Sequence, residues 1–92
     1  MSVNFITTEY ITATGTAVPN RTRLSGMSVT SPAGGGDYVF RDGGSTGTIR
    51  YKMKLPGGMI EPYYVQFPDL GILFATDMYI EMPGGYLTIF HD

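Results

Sequence analysis

Residues 48–55, TIRYKMKL, alternate without a break. Ile49, Tyr51, Met53 and Leu55 are apolar, while Thr48, Arg50, Lys52 and Lys54 are polar or basic. Successive side chains of a strand point to opposite faces, whereas a helix repeats its apolar residues three and four apart. The stretch predicts a β-strand with one face on a core and a basic row, Arg50, Lys52 and Lys54, on the other. Just upstream, DYVFRDGGSTG sets Tyr38 and Phe40 on one face and Val39 and Arg41 on the other. Asp42-Gly43-Gly44 then supplies a turn. Residues 37–54 read as a β-hairpin with a loop of about five residues.

Downstream, KLPGG (54–58) and EMPGG (81–85) repeat one punctuation mark. Proline presets φ at the second position of a turn, and glycine supplies φ > 0 at the third. Leu55-Pro56-Gly57-Gly58 and Met82-Pro83-Gly84-Gly85 are therefore expected as type II turns. They would join strand 48–55 to 59–67 and strand 77–82 to 86–91. In the last of these, Tyr86, Thr88 and Phe90 oppose Leu87, Ile89 and His91, and both faces are apolar enough to be covered. NFITTEYITA (4–13) and RTRLSGMSVTS (21–31) add two strands rich in β-branched residues, the second with a bulge at Gly26. LGILFA (70–75) adds a short one.

No ten-residue window free of Gly and Pro carries a helical apolar pattern. The fold class is all-β: a small antiparallel β-sandwich of seven or eight short strands, with the jelly roll as one form it can take. Residues 1–92 read as a single sandwich domain, with 1–20 as an N-terminal arm or first strand. Tyr38, Phe40, Ile49, Tyr51, Met53, Phe74, Ile80, Leu87 and Ile89 are the expected core.

The chain has 92 residues, no cysteine, and 15% charged residues. Without cysteine, neither a disulfide nor a thiolate metal site supports so small a core, which leaves packing and association. No secretory signal is visible at the N-terminus, and no apolar run reaches the ~18–20 residues of a membrane helix, so no membrane partner is expected. The formal net charge of −2 is unevenly spread. Residues 1–54 hold all six basic residues and three acids, and residues 55–92 hold five acids and no Lys or Arg. The split suggests oppositely charged edges that meet between subunits of a homo-oligomer. A cyclic trimer is one closed form of such a contact.

Little here points to reaction chemistry. His91 is the only histidine, and a strand histidine of this kind is expected to be solvated or packed rather than a general base. No His/Cys cluster suits zinc. Asp37 and Asp42 read as turn acids without the spacing of a calcium loop. GGSTG (43–47) precedes a strand rather than the helix that a phosphate loop needs. No catalytic residue, metal or cofactor is expected, and the chain reads as a non-enzyme. Nucleic acid is not expected either, since alternation puts the aromatics on the face opposite the basic row.

Glu61-Pro62-Tyr63-Tyr64-Val65-Gln66-Phe67 is different. Pro62 has no N–H, so this is an edge strand or one that starts after the proline. Tyr63 and Tyr64 point to opposite faces, and one of them must leave the core. Met59, Ile60, Tyr63 and Tyr64, with Arg50, Lys52 and Lys54, form the candidate interface.

The order of segments resembles the small all-β virion proteins of tailed bacteriophages. The likeness runs over residues 24–90. It rests on the Asp-Gly-Gly hairpin, on Gly71, Ile72, Phe74, Thr76, Asp77 and Tyr79, and on the closing Leu87, Thr88, Ile89 and Phe90. The resemblance implies a structural protein of the virion, made in the host cytoplasm. Its partner would be the major capsid protein or another virion protein. Capsid decoration or cementing is one implied role; a tail or fibre component, with receptor binding, is the alternative.

Overall fold

Alternation, turns and bulges in this chain build two facing sheets. The structure is a computed structural model and describes residues 6–59 and 61–92. Among the described residues, nine strands run in the order β1 Thr7–Ile11, β2 Gly15–Val18, β3 Thr22–Thr30, β4 Gly36–Asp42, β5 Thr48–Leu55, β6 Tyr63–Gln66, β7 Ile72–Phe74, β8 Met78–Glu81 and β9 Tyr86–His91. A 3-10 turn, Gly44–Thr46, closes the β4–β5 hairpin. Sheet A has the order β1-β9-β3-β6, with β7 also on β3; sheet B has the order β2-β8-β4-β5. Every pairing is antiparallel.

The topology is a jelly roll. β6 and β7 lie end to end along β3 and act as one interrupted strand. Counted so, the first strand pairs with the last, the second with the next to last, and so on inward: β1 with β9, β2 with β8, β3 with β6 and β7, β4 with β5. Wrapping that ribbon puts alternate pairs in opposite sheets. β2 is an addition to the expected strands. Its sequence, GTAV, carries too little bulk to signal a strand by itself.

The core lies between the inner faces. Leu24, Met27, Val29, Phe74, Leu87 and Ile89 of sheet A meet Val18, Tyr38, Phe40, Leu55, Met78 and Ile80 of sheet B. Burial raises the pKa of the Tyr38 phenol, whose hydroxyl donates to the Gly84 carbonyl at 2.9 Å. The bulge expected near Gly26 is present, between Leu24 and Gly26 in the pairing with β9.

Ile49 departs from expectation: it is 46% exposed. The pairing of β4 with β5 shifts between Phe40 and Arg41, where Tyr51 and Ile49 are successive partners and Arg50 is the extra residue. A bulge reverses the phase of alternation beyond it. Tyr51 and Met53 therefore pack half-buried against the core, while Ile49 shares the outer face of sheet B with Arg41. The basic row breaks at the same point. Lys52 and Lys54 stay on the outer face, and Arg50 turns away towards Asp42 at 3.5 Å.

The two Pro-Gly-Gly segments are crossings between sheets. One carries the chain from β5 to β6, the other from β8 to β9, each from sheet B to sheet A. Sheets pack about 10 Å apart, a step that a tight hairpin turn does not make. Neither is the expected type II turn. The positive φ falls on Gly58 rather than Gly57, and Gly84 has φ 132°. Both crossings sit with the Pro32–Gly35 connection, which joins β3 to β4, at one end of the sandwich. There the Ser31 hydroxyl donates to the Pro56 carbonyl. A Cβ on Gly57 would collide with the Ala33 carbonyl, and one on Gly85, at φ 76°, with that of Thr30.

The opposite end is held by two carboxylates. Asp42 accepts from the backbone N–H of Ala75 (2.8 Å), Thr76 (2.9 Å) and Asp77 (3.4 Å). Asp77 in return accepts from Gly43 (2.9 Å) and Gly44 (3.1 Å). The β4–β5 loop and the β7–β8 turn thus clasp each other. Burial of Asp42 acts to raise its pKa, but the three N–H donors and the Arg50 guanidinium prevail and hold it below the ordinary carboxylate value.

Candidate functional site

β5 and β6 end their sheets on the same side of the sandwich. The Tyr51 ring meets Phe67 edge-on at 4.9 Å and Phe40 at 5.9 Å, an aromatic column that spans from sheet B to the chain just after β6. Burial raises the Tyr51 pKa, and the neighbouring Tyr63 adds to it. This side therefore presents two strand edges with no partner among the described residues. Each edge offers a row of backbone donors and acceptors.

The candidate interface residues divide on this frame. Tyr63 and Tyr64 are exposed, on opposite faces of β6 as expected. Tyr64 leans towards Phe90 on the outer face of sheet A, at 6.0 Å between ring centres. Lys52 and Lys54 are exposed on β5. Arg50 is drawn to Asp42 and does not extend their row. Met59 packs against the core, and its sulfur accepts from the Ser31 N–H at 3.5 Å. Ile60 lies outside the described residues. The structure thus puts the strands of Lys52, Lys54, Tyr63 and Tyr64 on one side, with the lysines on the outer face of sheet B and Tyr64 on that of sheet A, and sets Met59 and Arg50 to other work.

The charge split is partly neutralised inside the chain. Arg41 pairs with Glu81 and donates to the Gly47 carbonyl at 2.9 Å. Asp92 accepts from the backbone N–H of Arg23 at 2.7 Å and from the Thr22 hydroxyl at 3.1 Å. The Arg23 N–H is the main reason its pKa is lowered. On the outer face of sheet B, Val39, Arg41, Ile49, Lys52, Glu81 and Met82 help line a shallow hollow of about 430 Å³.

His91 is buried, not solvated. Its Nε2 lies 3.2 Å from Glu9 and its Nδ1 3.1 Å from the Thr22 hydroxyl. The three residues sit on β9, β1 and β3, which are neighbours in sheet A. Hydroxyl, imidazole and carboxylate in line superficially resemble a nucleophile with its base. The Thr22 side chain is sealed in the protein, however, and no substrate can reach it. The set ties three strands together. Among the described residues, no three His, Cys, Asp or Glu side chains gather as metal ligands do.

Sequence reasoning missed the outer face of sheet A. Tyr10 and Tyr86 are 66% and 57% exposed there, with rings parallel within 7° and centres 6.2 Å apart. The alternation of Tyr86, Thr88 and Phe90 was the available signal, but it led to an expectation of cover on both sides. Among the described residues that face is open at Tyr10, Tyr64 and Tyr86, all exposed. Comparison with known proteins gives no relative: no family model, curated protein or solved structure matches the chain.

Proposed function

We propose that the chain is a non-enzymatic structural protein of a phage virion, and that it decorates and cements the capsid. Many copies seat their β5/β6 side on the major capsid protein or another virion protein and bridge neighbouring subunits. The observation that carries this reading is the pairing of two open strand edges on one side, with Tyr63 and Tyr64 exposed on β6 and Lys52 and Lys54 on β5. An open edge can extend a partner's sheet. Tyrosines anchor such a contact, and exposed lysines steer and orient it. Small contacts repeated over a lattice add through multivalency. The jelly roll is used in viral capsids, which agrees with the reading but does not by itself assign a function.

The second reading, a tail or fibre component that meets a receptor, draws on the open aromatic face of sheet A. Labelling the protein on purified virions separates the two. Label over the whole capsid supports decoration; label confined to the tail supports the second reading; absence from the virion refutes both. Tyr63→Ala with Tyr64→Ala is expected to reduce virion incorporation at least about tenfold, the scale of a modest interface anchor. Light scattering on the free protein checks for the trimer.

A further inference from the structure

From Gly26 to the end of β3, the outer face of sheet A differs in chemistry from the outer face of sheet B. Its cross-strand rows are Tyr10–Thr88–Ser28–Tyr64 and Thr8–Phe90–Gly26–Gln66. None of these eight residues is charged; Arg23, opposite Leu73 beyond the bulge, is a charged residue at the β7 end of the same face. The outer face of sheet B, by contrast, carries Asp37, Arg41, Lys52, Lys54 and Glu81. In sheet A two aromatic pairs, Tyr10 with Tyr86 and Tyr64 with Phe90, flank a central strip where Thr88 and Ser28 face each other.

We propose that this face binds a neutral oligosaccharide. A pyranose ring has a face of weakly positive C–H bonds and a rim of hydroxyls. Aromatic faces are negative and attract such C–H groups. The side-chain hydroxyls of Thr88 and Ser28 each donate and accept, so they suit a sugar's own hydroxyls. Absence of charge removes the desolvation cost that a Lys or Asp would impose on a neutral ligand. The size of the platform also selects its occupant. Four strands span about 14 Å, and residues 26–30 of β3 about 13 Å, an area of roughly 200 Å². A stable protein contact needs about 800 Å² on each partner. A short glycan fits where a second copy of the chain would be poorly held. The inference goes beyond the virion role; Tyr64 of β6 borders both surfaces, so the test uses Tyr10 and Tyr86, on β1 and β9 at the opposite end of the platform.

The test is a titration of the intact protein, followed by amide NMR, with maltohexaose, cellohexaose and N-acetylchitohexaose. At least one is expected to shift resonances of β1, β9 and the middle of β3, with an affinity indifferent to salt. Tyr10→Ala and Tyr86→Ala should each weaken binding about tenfold, the scale of one aromatic contact. Thr88→Val, which keeps the shape, should weaken it as well. Tyr79→Ala on sheet B should leave it unchanged. The inference falls if none of the three sugars binds, if the shifts map elsewhere, or if both tyrosine variants stay folded and bind as before. It falls too if light scattering shows a dimer that Tyr10→Ala returns to monomer, since the face would then be a contact between copies. Virion incorporation of the Tyr10 and Tyr86 variants should be normal whichever way the titration goes.

Discussion

Asp42 shows how a single side chain fixes an end of the sandwich. Its carboxylate is almost wholly covered and serves three N–H groups of the β7–β8 turn. Asp42→Ala leaves those donors without a partner, and an unsatisfied buried polar group costs about 1–3 kcal/mol. We expect a loss of at least that size in chemical denaturation. The pH dependence follows from the lowered pKa of Asp42 and Asp92. A carboxyl whose folded value lies below its unfolded one stabilises the fold fully above the unfolded value. That contribution fades as pH falls through the folded value. The urea midpoint should therefore be flat from neutrality down to about pH 5 and decline towards pH 2, with a shallower decline in Asp42→Asn. A midpoint that rose on acidification would contradict the clasp. Asp42 stands in an Asp-Gly-Gly sequence that any turn could share. Its partners lie more than thirty positions away, so its role was hidden from the sequence.

Strands and turns show where sequence periodicity is informative and where it stops. The β4–β5 hairpin, the Gly26 bulge and the strands around 72–74 and 86–91 were all legible, because each rests on local alternation or turn chemistry. Ile49 was misplaced because a bulge at Arg50 leaves the composition of TIRYKMKL unchanged while reversing its phase. Ile49→Ala should therefore change stability by no more than about 0.5 kcal/mol, the scale of an ordinary surface change. Ile80→Ala, in the core, should cost about 2–5 kcal/mol. Equal losses at the two sites would mean that the bulge is absent. The Pro-Gly-Gly pairs were legible as breaks but not as crossings, since the change of sheet depends on pairing partners far away. Gly57→Ala tests the close approach to the Ala33 carbonyl. The backbone must move there, and a loss above about 1 kcal/mol is expected, against a gain of a few tenths at an unconstrained glycine.

Across the whole molecule, the split of charge along the sequence turns into short-range pairing: Arg41 with Glu81 joins the two halves across neighbouring strands. What remains is chemical texture: a mixed-charge outer face on sheet B, a hydroxyl-and-aromatic stretch on the outer face of sheet A, and the terminal strands β5 and β6 on one side and β1 and β2 on the other. The first was partly visible in TIRYKMKL. The second was not, because Tyr10, Tyr64 and Tyr86 come from three distant segments and meet only through the pairing of β1, β9, β3 and β6.

That pairing also governs how the protein comes to exist. β9 is made after the eight strands β1 to β8, yet it lies between β1 and β3 in the middle of sheet A. Until it emerges from the ribosome, the eight earlier strands have no way to complete that sheet, and β1 lacks the strand it pairs with. Folding of the nascent chain must wait, with the future inner faces of β1 and β3 open to other chains in the meantime. Long-range β pairing of this kind is slow, on the order of milliseconds to seconds. Removing residues 86–92 should leave a product with no cooperative unfolding transition and a tendency to aggregate, as circular dichroism and sedimentation would record. A chaperone that holds the unfinished chain, or translation slowed while β9 is being made, would act on this interval.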